Sequence, residues 1–152
     1  MRPLYPPVSL GLSLALAAVS FAAEPASMGP PFTVPTDSDG VQRTTVILDS
    51  YSYQPAHLIV EKGKPVELTL KSVTTLVPHN FIIKDPAGSL SVEQDTGAGK
   101  TALLKFTPMQ SGTFPIYCDK RLWPLPSHRD KGMEGKLEGA LVRAFRKVAL
   151  AP

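Results

Sequence analysis

Between Val66 and Lys71 the chain alternates without a break, Val66, Leu68 and Leu70 against Glu67, Thr69 and Lys71. A period of two sends successive side chains to opposite faces, the pattern of a half-buried strand. The same region is hemmed in by the turn Glu61, Lys62, Gly63, Lys64, and the whole chain is punctuated in this way, by 16 prolines and 11 glycines spread along 152 residues. That spread of breakers argues against long helices. Further short runs lie at Val46 to Leu48, Leu58 to Val60, His79 to Lys84, Leu90 to Val92, Ala102 to Phe106, Thr113 to Cys118 and Leu137 to Leu141. Their spacing predicts one all-β domain, a sandwich or barrel of seven to eight strands with Greek-key connectivity.

The flanks read differently. Arg2 precedes an apolar run from Val8 to Ala23 that ends in small residues, with Ser20 and Ala22 placed for the −3 and −1 positions of a cleavage site. The run is shorter than the roughly 20 residues of a spanning helix, so residues 1–23 are expected to be a removable signal peptide rather than a retained anchor. No membrane span is then expected in the mature protein. It would be exported and soluble, periplasmic in a Gram-negative source. Residues 24–42, rich in Pro, Gly, Ser and Thr, read as a linker or draped arm; 43–143 form the domain, and 144–152 a basic tail with no assigned role. The net charge of +3 is scattered among acidic residues, which excludes the basic stripe of a nucleic-acid binder.

Chemistry concentrates between Cys118 and Met133. This stretch holds the only cysteine, one of three histidines and one of four methionines, and such nitrogen and sulfur donors select soft or borderline transition metals. In an exported protein an odd thiol is paired between chains, reactive, or protected by burial or by a metal. Strand parity supplies another donor. His79 shares a face with Phe81 and Ile83, and Cys118 shares one with Phe114 and Ile116, so both point inward at strand ends. His128 and Met133 flank Asp130, Lys131 and Gly132, a turn able to fold them back toward Cys118. Two imidazoles, a thiolate and a thioether make the donor set of a blue-copper electron-transfer centre. His57, Met28 and Met109 lack partners of this kind; Met109 is expected to be partial core.

Taken together, Pro78-His79-Asn80-Phe81, Gly112-Thr113-Phe114 leading to Tyr117-Cys118, and His128 with Met133 before Gly135-Lys136-Leu137 resemble a cupredoxin of the plastocyanin and azurin kind. The resemblance covers about Thr45 to Val142. It implies a cupredoxin-like Greek-key β-sandwich holding one copper ion, with His79, Cys118, His128 and axial Met133 as ligands, and His128 as the ligand nearest solvent. It also implies that Asn80 clamps the cysteine-bearing segment by a hydrogen bond. The chain departs from the family in one interval: nine residues separate Cys118 from His128, longer than usual. The insert Lys120 to Ser127 carries Leu122, Trp123 and Leu125, which would serve either as buried cover over the site or as an exposed docking patch.

Three functions compete. The first is one-electron transfer with a redox protein such as a cytochrome or oxidase. The second is periplasmic copper handling, by tolerance, sequestration or delivery to a copper-trafficking partner. The third, an enzyme using Cys118 as nucleophile and His128 as base, finds no evident oxyanion arrangement, so no enzymatic activity is expected.

Overall fold

A computed structural model describes residues 28–141; the expected signal peptide, 1–23, the first residues of the expected arm and the basic tail, 144–152, lie outside the described residues. Ten strands occur and no helix among the described residues: β1 Phe32–Thr33, β2 Gln42–Asp49, β3 Ser52–Gln54, β4 His57–Glu61, β5 Val66–Ser72, β6 His79–Lys84, β7 Ser91–Thr96, β8 Thr101–Phe106, β9 Gly112–Tyr117 and β10 Glu134–Ala140. The count exceeds the expected seven to eight because β1 and β3 are only two and three residues long. Strands that short leave no periodicity to read.

One sheet runs β1-β4-β10-β9-β6-β7 and the other β3-β2-β5-β8. Most neighbours are antiparallel, but β1 and β10 flank β4 in parallel and β2 runs parallel to β5. The neighbours are mostly far apart in sequence, as Greek-key crossovers require. The alternation seen at Val66 sets the core: Val66, Leu68 and Leu70 are fully buried and meet Leu58, Val60, Phe81, Ile83, Ile116 and Leu137 from the facing sheet. Part of the segment expected as an arm is built into this sandwich, since β1 pairs with β4 and Val34 is buried. Met109 is not partial core but 65% exposed, because the turn before β9 lifts it off the sheet.

Two contacts tie the layers. The buried Gln42 side chain accepts from the Glu61 amide (2.6 Å) and donates to the Glu61 carbonyl (3.1 Å), stitching β2 to β4. Gly135 lies so close to Ala56 that a Cβ would collide with the Ala56 carbonyl oxygen, the same oxygen that accepts from Lys136 N at 2.8 Å. Gly135→Ala is therefore expected to destabilise the fold by about 1–3 kcal/mol through forced backbone shifts. A lower urea midpoint with unchanged slope would show it; an unchanged midpoint would contradict it.

The pairing of β6 with β9, Ile82 opposite Tyr117 and Ile83 opposite Ile116, brings the start of one strand and the end of the other to the same edge of the sandwich. His79 opens β6 and Cys118 follows β9 there. The chain returns to this end in the loop before β10 and in the tight turn between β2 and β3.

Candidate metal centre

His79, Cys118 and His128 are all buried, and one donor atom from each lies within 4.8 Å of the other two. Cys118 Sγ is 3.3 Å from His128 Nδ1, and the two imidazole centroids are 5.1 Å apart. Met133 is fully buried in the core, and its backbone binds both neighbours: its amide donates to the His128 carbonyl (2.9 Å) and its carbonyl accepts from Cys118 N (3.2 Å). His57 stands apart, buried at the start of β4 with Nε2 3.3 Å from Glu138.

The hydrogen bonds around His79 decide which nitrogen faces the centre. Thr74 Oγ1 donates to the Val77 carbonyl (2.6 Å), which commits its single proton, and it sits 3.3 Å from His79 Nε2. Nε2 is thus the protonated nitrogen donating to Thr74, and Nδ1 carries the free lone pair. That Nδ1 is buried without any hydrogen-bond partner. A buried polar atom left bare is costly, and a metal ion is the partner that this lone pair and the adjacent thiol suit. Burial also pushes the His79 pKa down to about 4, aided by the neighbouring His128 and partly opposed by Asp49. His128 is lowered as well, first by burial and then by the charge of Lys131. Both imidazoles are held neutral, the form that ligates.

Cys118 is held from the other side. Burial raises its thiol pKa, while hydrogen bonds from the Asn80 and Lys120 backbones oppose that rise; the Asn80 amide donates to Sγ at 3.4 Å. Asn80 is itself locked. Its Nδ2 donates to Asp119 Oδ1 (2.8 Å) and Glu93 Oε1 (3.1 Å), its Oδ1 accepts from Asp119 N (3.1 Å), and its carbonyl accepts from the Tyr53 hydroxyl (2.7 Å). Thr74, Tyr53 and Asp119 escape a reading based on parity, because they reach the site from loops or from the other sheet. Tyr53 in particular sits on a strand of three residues, too short for parity to place it.

The long interval between Cys118 and His128 is closed at its base. The His128 amide donates to the Lys120 carbonyl at 2.8 Å, so residues 121–127 loop outward and return His128 beside Cys118. Ser127 and Asp130 then exchange hydrogen bonds, Ser127 N and Oγ donating to Asp130 Oδ2 (3.0 and 2.7 Å) and Asp130 N donating to Ser127 Oγ (3.1 Å). Gly132 completes the turn at φ 92°, a conformation natural to glycine. Leu122, Trp123 and Leu125 do not cover the site: they are 74%, 78% and 50% exposed.

Two imidazoles and a thiolate, with a thioether held in the same loop, form a soft donor set rather than the oxygen-rich one of calcium or magnesium. Comparison with known proteins agrees in fold. The metal-binding domain of the Cu(I)-exporting P-type ATPase of Streptococcus pneumoniae is similar over 73% of this chain and 96% of its own, at 20% identity and TM-score 0.55. Dithionite-reduced auracyanin from Roseiflexus castenholzii is similar over 64% of this chain and 96% of its own, at 19% identity and TM-score 0.53. A multicopper oxidase is similar over 72% of this chain and 46% of its own, at 15% identity and TM-score 0.54. No curated protein sequence matches. The sequence model of the Cupredoxin-like domain family matches residues 12–137, most of the chain, and the protein therefore belongs to that family, whose cofactor is one copper ion.

Proposed function

We propose that the protein is an exported carrier of single electrons, not an enzyme, in which His79, Cys118 and His128 would hold copper, with Met133 as a further donor. The observation that carries this reading is the convergence of three buried donors around a His79 Nδ1 that has no other partner. Copper, when bound, supplies a one-electron couple between Cu(I) and Cu(II). The chain's part is to keep the donors still. Thr74 fixes the plane and tautomer of His79, the Asn80 amide fixes the sulfur, and the Lys120 and Met133 backbones fix the approach of His128. Such outer hydrogen bonds hold ligand positions through a change of charge, which limits rearrangement during transfer. Export rests on the leader-like pattern of residues 1–23. Among the described residues no helix is long and apolar enough to cross a membrane.

The test is a visible spectrum of the copper-loaded protein with its copper stoichiometry, followed by a reduction and reoxidation cycle. A thiolate-to-copper band that bleaches and returns supports the reading; its absence at one copper per chain ends it. Deleting the gene separates transfer from copper handling, since loss of respiration or another redox activity favours the first and copper sensitivity with normal respiration the second.

A partner such as a cytochrome or oxidase would meet the outward loop at Leu122, Trp123 and Leu125. Apolar side chains this exposed gain by being covered, and a tryptophan is the usual anchor of such a contact. Trp123→Ser is expected to slow reduction by the physiological partner roughly 10-fold or more, the loss of about 1.4 kcal/mol or above at a hot spot. Its visible spectrum and urea midpoint should stay at wild-type values. Stopped-flow reduction by the partner at the wild-type rate would remove Trp123 from the interface.

A further inference from the structure

His128 is the outermost of the three donors, and it is nonetheless only 6% exposed. The apolar insert beside it does not account for this, since Leu122, Trp123 and Leu125 face outward. What lies against the imidazole is Tyr51, edge-on, with ring centroids 5.1 Å apart and planes at 76°. Tyr51 comes from the opposite sheet, at the second position of the two-residue turn in which Asp49 pairs with Ser52. Its backbone is at φ 63°, and it is the one residue other than glycine with a positive φ among those described. That region is the domain of glycine and asparagine; a bulky aromatic there is an outlier. Turns of this kind prefer glycine at such a position. The ring is also clamped. Lys131 Nζ donates to the Tyr51 hydroxyl at 2.9 Å and lies 4.4 Å from the ring centroid. Lys131 belongs to the same turn that carries His128 and Met133, so the clamp joins the β2–β3 turn to the ligand loop.

We propose that Tyr51 is a positioning residue for the metal centre, closing the solvent side of His128 and holding its imidazole in place, with Lys131 pinning the ring over it. This rests on the reading of His128 as a copper ligand. A strained backbone at an aromatic residue persists where the surroundings require that side chain at that point, and here the side chain meets a ligand. The functional consequence is retention. An imidazole covered on its outer side cannot swing out to let a competing donor take its place, so copper stays through repeated transfers. A site built to hand copper on would leave that side open to the acceptor's ligands.

Glycine makes the decisive substitution, because Tyr51→Gly removes the ring and relieves the backbone together. In the copper-free protein, diethyl pyrocarbonate should modify His128 roughly 10-fold faster in Tyr51→Gly than in wild type, with His57 and His79 unchanged as internal references. In the copper-loaded protein, removal of Cu(I) by excess bathocuproine disulfonate should accelerate by a similar factor, the range seen when a residue supporting a metal ligand is lost. Tyr51→Phe keeps the ring but loses the hydroxyl that Lys131 binds, and Lys131→Ala keeps the ring unpinned, so both should fall between wild type and Tyr51→Gly. Rates within twofold of wild type for Tyr51→Gly in both measurements would overturn the proposal. If all three histidines react faster in that variant, the fold has loosened and Lys131→Ala decides: wild-type rates there overturn the proposal, and selective acceleration at His128 supports it. A wild-type protein that binds no copper refutes the proposed function instead, and the His128 modification rates still decide whether Tyr51 closes it.

Discussion

Cys118→Ser is expected to abolish the visible absorption of the copper-loaded protein and to leave the sandwich folded. Serine is nearly the same size as cysteine, and at Cys118 its oxygen can still accept from the Asn80 amide that now donates to Sγ. Burying a hydroxyl in place of a thiol at this fully buried position costs about 1–3 kcal/mol, less than the 5–15 kcal/mol typical of a whole domain. The chemistry changes far more. A serine hydroxyl does not ionise near neutral pH and offers a hard oxygen where a soft metal selects sulfur. Copper affinity should fall with the band, whereas His57→Ala should change neither, because His57 faces Glu138 and not the centre. Absorption and copper stoichiometry of the two variants measure this. A visible band surviving in Cys118→Ser would mean that the thiolate is not a ligand.

The copper-free protein is expected to lose stability as pH falls from about 6.5 toward 4, and the sign follows from His79. Its pKa is about 4 in the fold, against an ordinary value of 6.5, because burial and the nearby His128 disfavour the imidazolium. Between those values the unfolded chain binds a proton that the folded chain does not, so stability rises with pH across the window and is fully present above it. One proton per chain gives a slope near 1.4 kcal/mol per pH unit, hence on the order of 3 kcal/mol across the window. His128, shifted the same way, steepens it. The carboxylates of Glu67 and Asp85, lowered by their hydrogen-bond partners, act in the same sense but below their ordinary values of 4.5 and 3.8. Urea denaturation of the copper-free protein at pH 7.5 and pH 5 reads the effect, and His79→Gln should flatten it. Equal midpoints at the two pH values in the wild-type protein would refute it.

Period-two alternation made much of this legible. His79 and Cys118 could be placed inward at strand ends because β6 and β9 each carry an apolar face that fixes parity, and the core from Val46 to Leu137 follows the same rule. The donors of the Cys118 to Met133 stretch were visible by residue type, and the return of His128 to Cys118 by the turn signal at Gly132. What escaped was set by tertiary contact. Strand β1 depends on docking against β4, not on its own two residues. Thr74 reaches His79 through a loop, and Tyr53 reaches Asn80 from the opposite sheet. Tyr51 is further hidden, since no sequence rule places a tyrosine at positive φ. The fate of Leu122, Trp123 and Leu125 was open because an apolar triplet reads the same whether covered or bare.

The bond from His128 N to the Lys120 carbonyl, with Ser127 tied back to Asp130 and Lys131, makes residues 121–126 a closed cassette hung outside the metal site. A segment joined to its frame at one neck can lengthen, shorten or change composition without shifting what lies behind the neck. On the proposed reading, variation in the cassette would alter which molecule the protein meets, and variation behind the neck would alter how the site holds its metal. If the loop does recognise a partner, a cassette grafted into this neck from another chain would carry that recognition with it.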